Sequence, residues 1–240
     1  MNDQAKYTLA GFCMGVAELI PGISGSTVAV IFKIYPNLMS ILSQLRPKNF
    51  SLNFSLVSQT FQFRVSLPLI FSMLSAILLC SNLITFLINN YEQLFLSLLG
   101  WLMIFLSIYV VDFFRASLKR FNLLIYLILG ILIGYIFQEL NIGFGEVTPL
   151  YLFISGLIAF TFFLIPGISG SAILIVLGVY SPIIQAIANF NLLFLLPFAL
   201  GCLISLLILP KIFASLYTKY EQSLMYFFSG LIFSSGYFLL

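Results

Sequence analysis

The sequence predicts an all-α polytopic membrane protein with two inverted-topology repeats, each containing a re-entrant helical hairpin and transmembrane helices. Two observations support this prediction. Hydrophobic residues make up 62 % of the 240 residues and charged residues only 7 %, whereas a soluble domain has about 25 % charged residues. An eight-residue segment also occurs twice along the chain. So few charges could not cover the surface of a soluble protein of this length, so the chain is expected to lie in lipid.

Five segments are apolar and long enough to cross a bilayer, which takes about 20 helical residues. They are predicted at 65–88, 92–111, 121–138, 192–217 and 222–240. These spans are the basis for dividing the chain into a first repeat, 1–120, and a second half, 121–240, which begins with one additional span.

Two further apolar regions, 8–45 and 150–188, are interrupted by Pro-Gly. The helix before each break would be about 20–24 Å long, which is too short to cross a membrane. A second apolar helix is predicted directly after each break, at 27–45 and at 172–188. Short paired helices joined in this way are typical of re-entrant hairpins, which enter and leave the membrane on one side.

The distribution of basic residues agrees with re-entrant hairpins. With the N-terminus in the cytoplasm, nine of the ten Lys and Arg residues fall on the cytoplasmic side, as the positive-inside rule expects for a plasma-membrane protein. These nine are Lys6, Arg46, Lys48, Arg64, Arg115, Lys119, Arg120, Lys211 and Lys219. Three acidic residues, Glu92, Glu139 and Glu146, and the C-terminus then lie outside.

The repeated segment is LIPGISGS, which occurs at Leu19–Ser26 and again at Leu164–Ser171, 145 residues later. At the same offset Tyr35 matches Tyr180, and both are predicted to be anchors at the membrane interface. Together with a second matched segment that follows in the same order, this repeat indicates an internal duplication.

A second matched segment, Tyr-Glu-Gln, occurs at 91–93 and again at 220–222, an offset of 129 residues. Three predicted spans separate the two hairpins, and an odd number of spans gives the halves opposite orientations. The two PGISGS tips can therefore meet near the midplane, where transporters with inverted repeats hold their substrates.

The PGISGS tips have the chemistry of an anion site. Proline ends the preceding helix and glycine permits a tight loop. The first N–H groups of the next helix have no partner within that helix, and they favour a negative charge. The predicted phosphate ligands are Gly22, Ser24, Gly25, Ser26, Thr27, Gly167, Ser169, Gly170 and Ser171. The alternative is that each motif only turns its hairpin, with serine capping the helix.

Two ionisable side chains, Glu18 and Lys33, lie within the hairpins. Charge at membrane depth is costly and is usually retained for function. Lys33 lies seven residues after Ser26, about two helical turns along the same face, and is a further predicted phosphate ligand. Glu18 is predicted to bind a proton and couple transport to it. The alternatives are a Glu18–Lys33 ion pair and a snorkelling lysine.

The sequence argues against several other classes of protein. It has no histidine, and its three cysteines, Cys13, Cys80 and Cys202, are far apart. Without the commonest general base and metal ligand, no catalytic residue, metal or cofactor is predicted. A net charge of +3 with dispersed basic residues does not form a surface for nucleic acid.

Two segments resemble the signatures of the PopT family of polyprenyl-phosphate translocases, long classified as a membrane domain of unknown function. They are GFCMGVAELIPGISGST at Gly11–Thr27, and PGISGS at Pro166–Ser171 followed by LGVY at Leu177–Tyr180. The resemblance covers essentially the whole chain. Glu18 fills the acidic position of the first signature, whereas Ser26 and Lys33 stand where the family has glycine.

The resemblance implies a flippase that returns undecaprenyl phosphate, or a related polyprenyl phosphate, from the outer to the cytoplasmic leaflet for envelope-polymer synthesis. A transporter or channel for a small anion is the alternative that the residues alone leave open. A more remote alternative is an intramembrane lipid-processing enzyme that uses Ser24 or Ser26 with Lys33. Protons or another coupling ion and a second copy of the chain are the other partners considered.

Overall fold

The computed structural model describes residues 2–20, 22–46, 49, 53–111, 121–139 and 147–240. Among these residues every regular element is helical and there is no strand. Pro21 and five charged residues used to predict the orientation, Lys48, Arg115, Lys119, Arg120 and Glu146, lie outside the described residues. The predicted all-α class of membrane protein is confirmed.

The first half contains α1 (Asp3–Glu18), α2 (Gly25–Ile31), α3 (Tyr35–Leu42), α4 (Phe54–Thr60) and α5 (Phe63–Val110). A single helix, α6 (Phe121–Glu139), follows. The second half contains α7 (Pro149–Leu164), α8 (Gly170–Val176), α9 (Tyr180–Ala188) and α10 (Leu192–Phe238). The order of helices in the second half therefore repeats that of α1, α2, α3 and α5.

Three described helices, α5, α6 and α10, are long and apolar enough to cross a membrane, and the bent pair α8–α9 would make a fourth span. The helices α5 and α10 have 48 and 47 residues. A straight helix of that length would measure about 70 Å, twice the thickness of a bilayer. Each contains one residue with a non-helical backbone, Tyr91 and Tyr220 respectively. The kink at Tyr91 falls between the spans predicted at 65–88 and 92–111. The kink at Tyr220 falls between those predicted at 192–217 and 222–240.

The helix predicted after each Pro-Gly break is not continuous. A left-handed residue divides it in both hairpins, Lys33 with φ 56° and Gly178 with φ 69°. The next N–H closes the turn, from Ile34 to the Ala29 carbonyl at 2.9 Å and from Val179 to the Leu174 carbonyl at 3.0 Å. This pattern ends a helix, and it bends α8 against α9 by 113°.

Close helix contacts occur at matched positions of the two halves. Gly11 of α1 packs against the Leu69 carbonyl of α5, and Gly156 of α7 packs against the Phe198 carbonyl of α10. These pairs are related by the same sequence offsets as the repeated motifs, 145 and 129 residues. A Cβ at either glycine would collide with the facing carbonyl. Small residues allow helices to approach closely in lipid, and both contacts occur at matched positions.

The helices α5 and α10 also cross each other in a symmetric manner. A Cβ on Gly100 would lie 2.6 Å from the Gly236 carbonyl. The equivalent pair is Ser229 and Ser107, and the Ser229 hydroxyl donates to the Ser107 carbonyl at 2.7 Å. Exchanging the two halves maps one contact onto the other, so the packing is compatible with inverted repeats.

The buried core surrounds the two hairpins. Its most enclosed side chains include Val30, Ile34 and Tyr35 of the first hairpin together with Phe228 and Leu231 of α10. Large apolar side chains of α5 and α10, such as Phe71, Leu78 and Leu193, point outward and are exposed. Serine and threonine side chains are buried together with this apolar core, and the exposed surface of α5 and α10 is largely apolar, as expected where lipid is the solvent.

Candidate functional site

The first PGISGS tip connects α1 to α2 through a left-handed glycine, Gly22, with φ 85°. Ser24 is the N-cap of α2, and its hydroxyl accepts a hydrogen bond from the Thr27 N–H at 3.4 Å. The same hydroxyl lies 2.8 Å from that of Ser26 and 3.1 Å from that of Thr27. Three hydroxyl groups therefore cluster at the start of α2.

The second tip repeats this geometry between α7 and α8. Gly167 has φ 88°, close to the value at Gly22. Ser169 is the N-cap of α8 and accepts from the Ala172 N–H at 3.1 Å. Its hydroxyl lies 3.3 Å from that of Ser171. The second cluster has two hydroxyls because alanine stands at position 172, where the first half has threonine.

The two tips are in direct contact. The Gly167 N–H of the second tip donates to the Thr27 hydroxyl, next to the first tip, at 2.8 Å. Thr27 is buried, with 1 % of its side chain exposed. Residues 140 positions apart in sequence thus meet as predicted from the repeat.

Two further hydrogen bonds hold the tips in place, and the sequence did not predict either. The Ser235 hydroxyl of α10 donates to the Gly22 carbonyl at 2.6 Å. The Tyr35 hydroxyl of α3 donates to the Leu164 carbonyl, at the end of α7, at 3.1 Å. Tyr35 is buried and is not the interfacial anchor that was expected. The sequence signal for this position is that tyrosine recurs at the same offset from both tips, at Tyr35 and Tyr180.

Glu18 lies at the end of α1 and faces the start of α2. The Gly25 N–H donates to Glu18 Oε1 at 2.7 Å. This N–H is one of the predicted phosphate ligands, so a carboxylate already occupies an anion position at the first tip. The matched residue in the second half is Phe163, which lies beside Gly170. The two tips share a backbone and differ in charge.

Lys33 does not lie on the face of α2, because α2 ends at Ile31 and Lys33 occupies the left-handed turn. Its side chain is exposed, and Nζ lies 5.9 Å from the centre of the Tyr109 ring. Among the described residues no ion pair joins Lys33 to Glu18, whose carboxylate accepts from Gly25 instead. The structure therefore brings together the predicted tip residues and Glu18, with Lys33 at the periphery.

A cavity adjoins each tip. The smaller, about 210 Å³, reaches Glu18, Gly25 and Ser26. The rest of its lining is mostly apolar and comes from α3, α5 and the end of α7, including Leu38, Met39, Leu42, Leu69, Ile70, Met73 and Leu164. One end of this cavity is polar, and the remainder suits a hydrocarbon chain.

The larger cavity, about 510 Å³, reaches Gly167 and Ser169 of the second tip and Gly22 of the first. Its polar lining also includes Gln138 and Glu139 at the end of α6 and Ser235 of α10, and its apolar lining includes Ile173, Val176 and Phe238. The described residues contain no group of three or more His, Cys, Asp or Glu side chains that could hold a metal.

Comparison with known proteins identifies the family to which the chain is similar. Residues 14–239 match the family described as VCA0040-like, undecaprenyl phosphate translocase-like. The chain is 30 % identical over 251 residues to a polyprenyl-phosphate transporter of Vibrio cholerae, covering 97 % of this chain and 76 % of that protein.

A polyprenyl-phosphate transporter of Staphylococcus aureus is 29 % identical over 192 residues, covering 75 % of this chain and 64 % of that protein. No solved structure matches the chain. The family match begins within α1, at Met14, and extends over both tips, the second hairpin and the helices that pack on them. The chain therefore belongs to the undecaprenyl phosphate translocase-like family.

Proposed function

We propose that this protein moves a polyprenyl phosphate, undecaprenyl phosphate or a related lipid, from the outer to the cytoplasmic leaflet, with the phosphate held between the two PGISGS tips. The names of the relatives supply the class of substrate. The hydrogen bond between the Gly167 N–H and the Thr27 hydroxyl supports the position of the site. It joins the two segments whose residues are best suited to bind an anion.

The tips offer a phosphate group several donors without a basic side chain. The backbone N–H groups of Gly25 and Gly170 begin α2 and α8, where the helix dipole favours negative charge. Hydroxyls of Ser24, Ser26 and Ser171 can turn from each other toward phosphate oxygens, since a hydroxyl both donates and accepts. In an apolar surrounding, each such hydrogen bond is stronger than in water.

The proposal includes inverted halves and two-sided access. With the N-terminus in the cytoplasm, the smaller cavity faces the cytoplasmic leaflet and the larger cavity the outer leaflet. The smaller cavity reaches the first tip, and the larger cavity reaches the second tip and Gly22 of the first, so a phosphate at the tips could be approached from either side in turn. The apolar lining near Leu38, Leu42 and Leu69 suits the isoprenoid units next to the phosphate.

Proton coupling through Glu18 is the second part of the proposal. The Glu18 carboxylate accepts from the Gly25 N–H, the donor that a phosphate would need. Two anions at one donor repel each other, and a protonated Glu18 would release this position. Tyr35 is the other titratable side chain in the lining of this cavity. Substrate binding at the first tip is therefore expected to be favoured by protonation of Glu18.

Transport of a fluorescent polyprenyl phosphate across proteoliposomes tests this function. We expect movement of the fluorescent lipid that depends on the protein. Unlabelled polyprenyl monophosphate should inhibit this movement and inorganic phosphate should not, because the cavity also binds the isoprenoid chain. Protein-free liposomes are the control. If the lipid stays in place while inorganic phosphate or chloride crosses, the protein is a small-anion transporter. Release of phosphate from polyprenyl diphosphate would instead indicate an enzyme.

A further inference from the structure

Tyr35 and Tyr180 occupy matched positions but differ in their surroundings. Tyr35 begins α3 and has 1 % of its side chain exposed, whereas Tyr180 begins α9 and has 39 % exposed. The Tyr35 hydroxyl crosses to the other half of the molecule and donates to the Leu164 carbonyl at 3.1 Å. Tyr35 and Leu164 both line the smaller cavity. The contact therefore joins the two hairpins at the wall of that cavity.

Among the described residues, both aromatic partners of the Tyr35 ring belong to the second half. Its centre lies 5.5 Å from that of Phe228, edge to face, and 6.4 Å from that of Tyr217. Both rings belong to α10. Burial of a tyrosine ring with its hydroxyl satisfied is strongly stabilising. Tyr35 therefore fastens the first hairpin to the opposite half in this conformation.

The sequence offsets define an equivalent site for Tyr180. Leu164 maps onto Leu19, and Tyr217 and Phe228 map onto Ile88 and Leu99 of α5. Leu19 directly follows α1, so its carbonyl is at a helix end, where carbonyls need partners from outside the helix. Ile88 and Leu99 are half-buried and pack against the core. This site has an acceptor and an apolar wall, and in the present conformation Tyr180 does not fill it.

We propose that Tyr35 and Tyr180 are alternating gate residues. Tyr35 is bound at Leu164, Tyr217 and Phe228 in the present conformation, in which access to the smaller cavity beside it is restricted. Tyr180 binds at Leu19, Ile88 and Leu99 in the opposite conformation, in which access to the larger cavity is restricted instead. The inference rests on the proposed two-sided transport. One tyrosine leaves its site as the other enters, so the two conformations exchange similar contacts. Inverted repeats generate alternating access through such an exchange, and similar stability lets both states be populated.

Substitution by phenylalanine separates the two gates. Tyr35→Phe removes a hydrogen bond from the present conformation, and Tyr180→Phe removes one from the opposite conformation. A hydrogen bond of ordinary strength changes a two-state population about five-fold. The two variants are therefore expected to shift the same equilibrium in opposite directions.

The populations can be followed with single cysteine reporters after Cys13, Cys80 and Cys202, all free thiols, are replaced. Leu42→Cys reports on the smaller cavity and Val176→Cys on the larger, since these half-buried residues line them. The labelling rate with a membrane-impermeant maleimide is measured in nanodiscs, where both membrane faces are accessible. No polyprenyl lipid is added. Tyr126→Phe, on an exposed side chain of α6, is the control.

We expect Tyr35→Phe to raise labelling of Leu42→Cys by up to about five-fold and to lower that of Val176→Cys. Tyr180→Phe should do the reverse. Shifts in the same direction, or no shift in either variant, would overturn the gate. If Tyr35→Phe fails to fold, Tyr180→Phe still tests the proposal. The Tyr180 side chain is exposed in the present conformation, so the variant should fold, and labelling of Leu42→Cys must then fall. The assay contains no substrate, so a failed gate and a wrong lipid are distinguished by comparison with lipid transport.

Discussion

The two hairpins share the PGISGS tip and its backbone, but the residues around the tips differ. Gly22 and Gly167 have nearly equal φ values, and Ser24 and Ser169 cap the following helices in the same way. Beside the first tip, however, stands the Glu18 carboxylate, where the second half has the Phe163 ring. The backbone of the two tips is therefore the same, while a carboxylate beside the following helix start stands at the first tip and a phenyl ring at the second.

The difference extends to packing. A Cβ on Gly167 would lie 2.5 Å from backbone and side-chain atoms of Leu231, whereas a Cβ on Gly22 would meet the end of the Leu239 side chain at 3.2 Å. The second tip is thus wedged against α10, and the first has some space. The second tip is the more tightly packed of the two at this position, and the first carries the charge.

Substitution of Gly22 or Gly167 by alanine should give the largest losses of stability. Both residues have positive φ, which costs an L-residue about 1–2 kcal/mol. At Gly167 the collision with the Leu231 backbone adds to that cost, so Gly167→Ala is expected to fold poorly or not at all. Gly22→Ala should lower the free energy of unfolding by about the backbone cost alone. Thermal unfolding in detergent compares them, and equal losses would contradict the difference in packing.

Glu18→Gln removes the charge that distinguishes the first tip. If substrate binding requires protonated Glu18, wild-type transport should fall by up to about ten-fold per pH unit as pH rises through the titration. Glutamine is neutral at every pH, so the variant should transport at a rate that does not vary with pH. Initial rates in proteoliposomes between pH 5.5 and 8.5 measure this. A variant that keeps the wild-type pH profile would rule out Glu18 as the coupling residue.

Thr27→Val tests the bond that joins the tips. Valine has nearly the shape of threonine but leaves the buried Gly167 N–H without its acceptor, which costs about 1–3 kcal/mol. Thr161→Val is the matched control, since the Thr161 hydroxyl donates only to the Leu157 carbonyl within its own helix. We expect a clear loss in the unfolding temperature for Thr27→Val and little change for the control. Equal effects would mean that contact between the tips adds no stability.

Lys33→Gly should have the smallest effect, and it should stabilise the protein. Lys33 holds the left-handed turn that glycine occupies at position 178, at a cost of about 1 kcal/mol. Glycine there should raise the unfolding temperature slightly and change transport less than two-fold, because Lys33 is outside the lining of both cavities. A large loss of transport in Lys33→Gly would instead support the prediction that Lys33 binds the phosphate. Gly178→Lys is the reciprocal variant and should be slightly destabilising.

Much of the fold followed from two sequence patterns. Composition identified lipid as the solvent, and the repeated PGISGS motif indicated that the tips meet, which the Thr27–Gly167 bond bears out. The left-handed turns were missed because a helical apolar pattern continues through them and Lys33 conceals the glycine that marks the turn at 178. The burial of Tyr35 was missed because its partners, Leu164 and Phe228, lie over a hundred residues away.

The asymmetry of the site was harder to predict. Glu18 was singled out as an ionisable residue at membrane depth, but its hydrogen bond to the start of α2 depends on how α1 ends and how the loop turns back. Ser235 is one of several serines in α10, and no local pattern distinguishes it from Ser234 or Ser229. Its contact with the Gly22 carbonyl comes from packing of the C-terminal helix on the first tip.

The most direct test of a phosphate site between the tips is transport of fluorescent polyprenyl phosphate by the Ser26→Ala/Ser171→Ala double variant. Ser75→Ala, at an exposed serine of α5 that bonds its own helix, is the control. We expect the double variant to lose most transport while keeping the wild-type unfolding temperature, and the control to transport normally. Full transport by the folded double variant would contradict a phosphate held by these hydroxyls between the two tips.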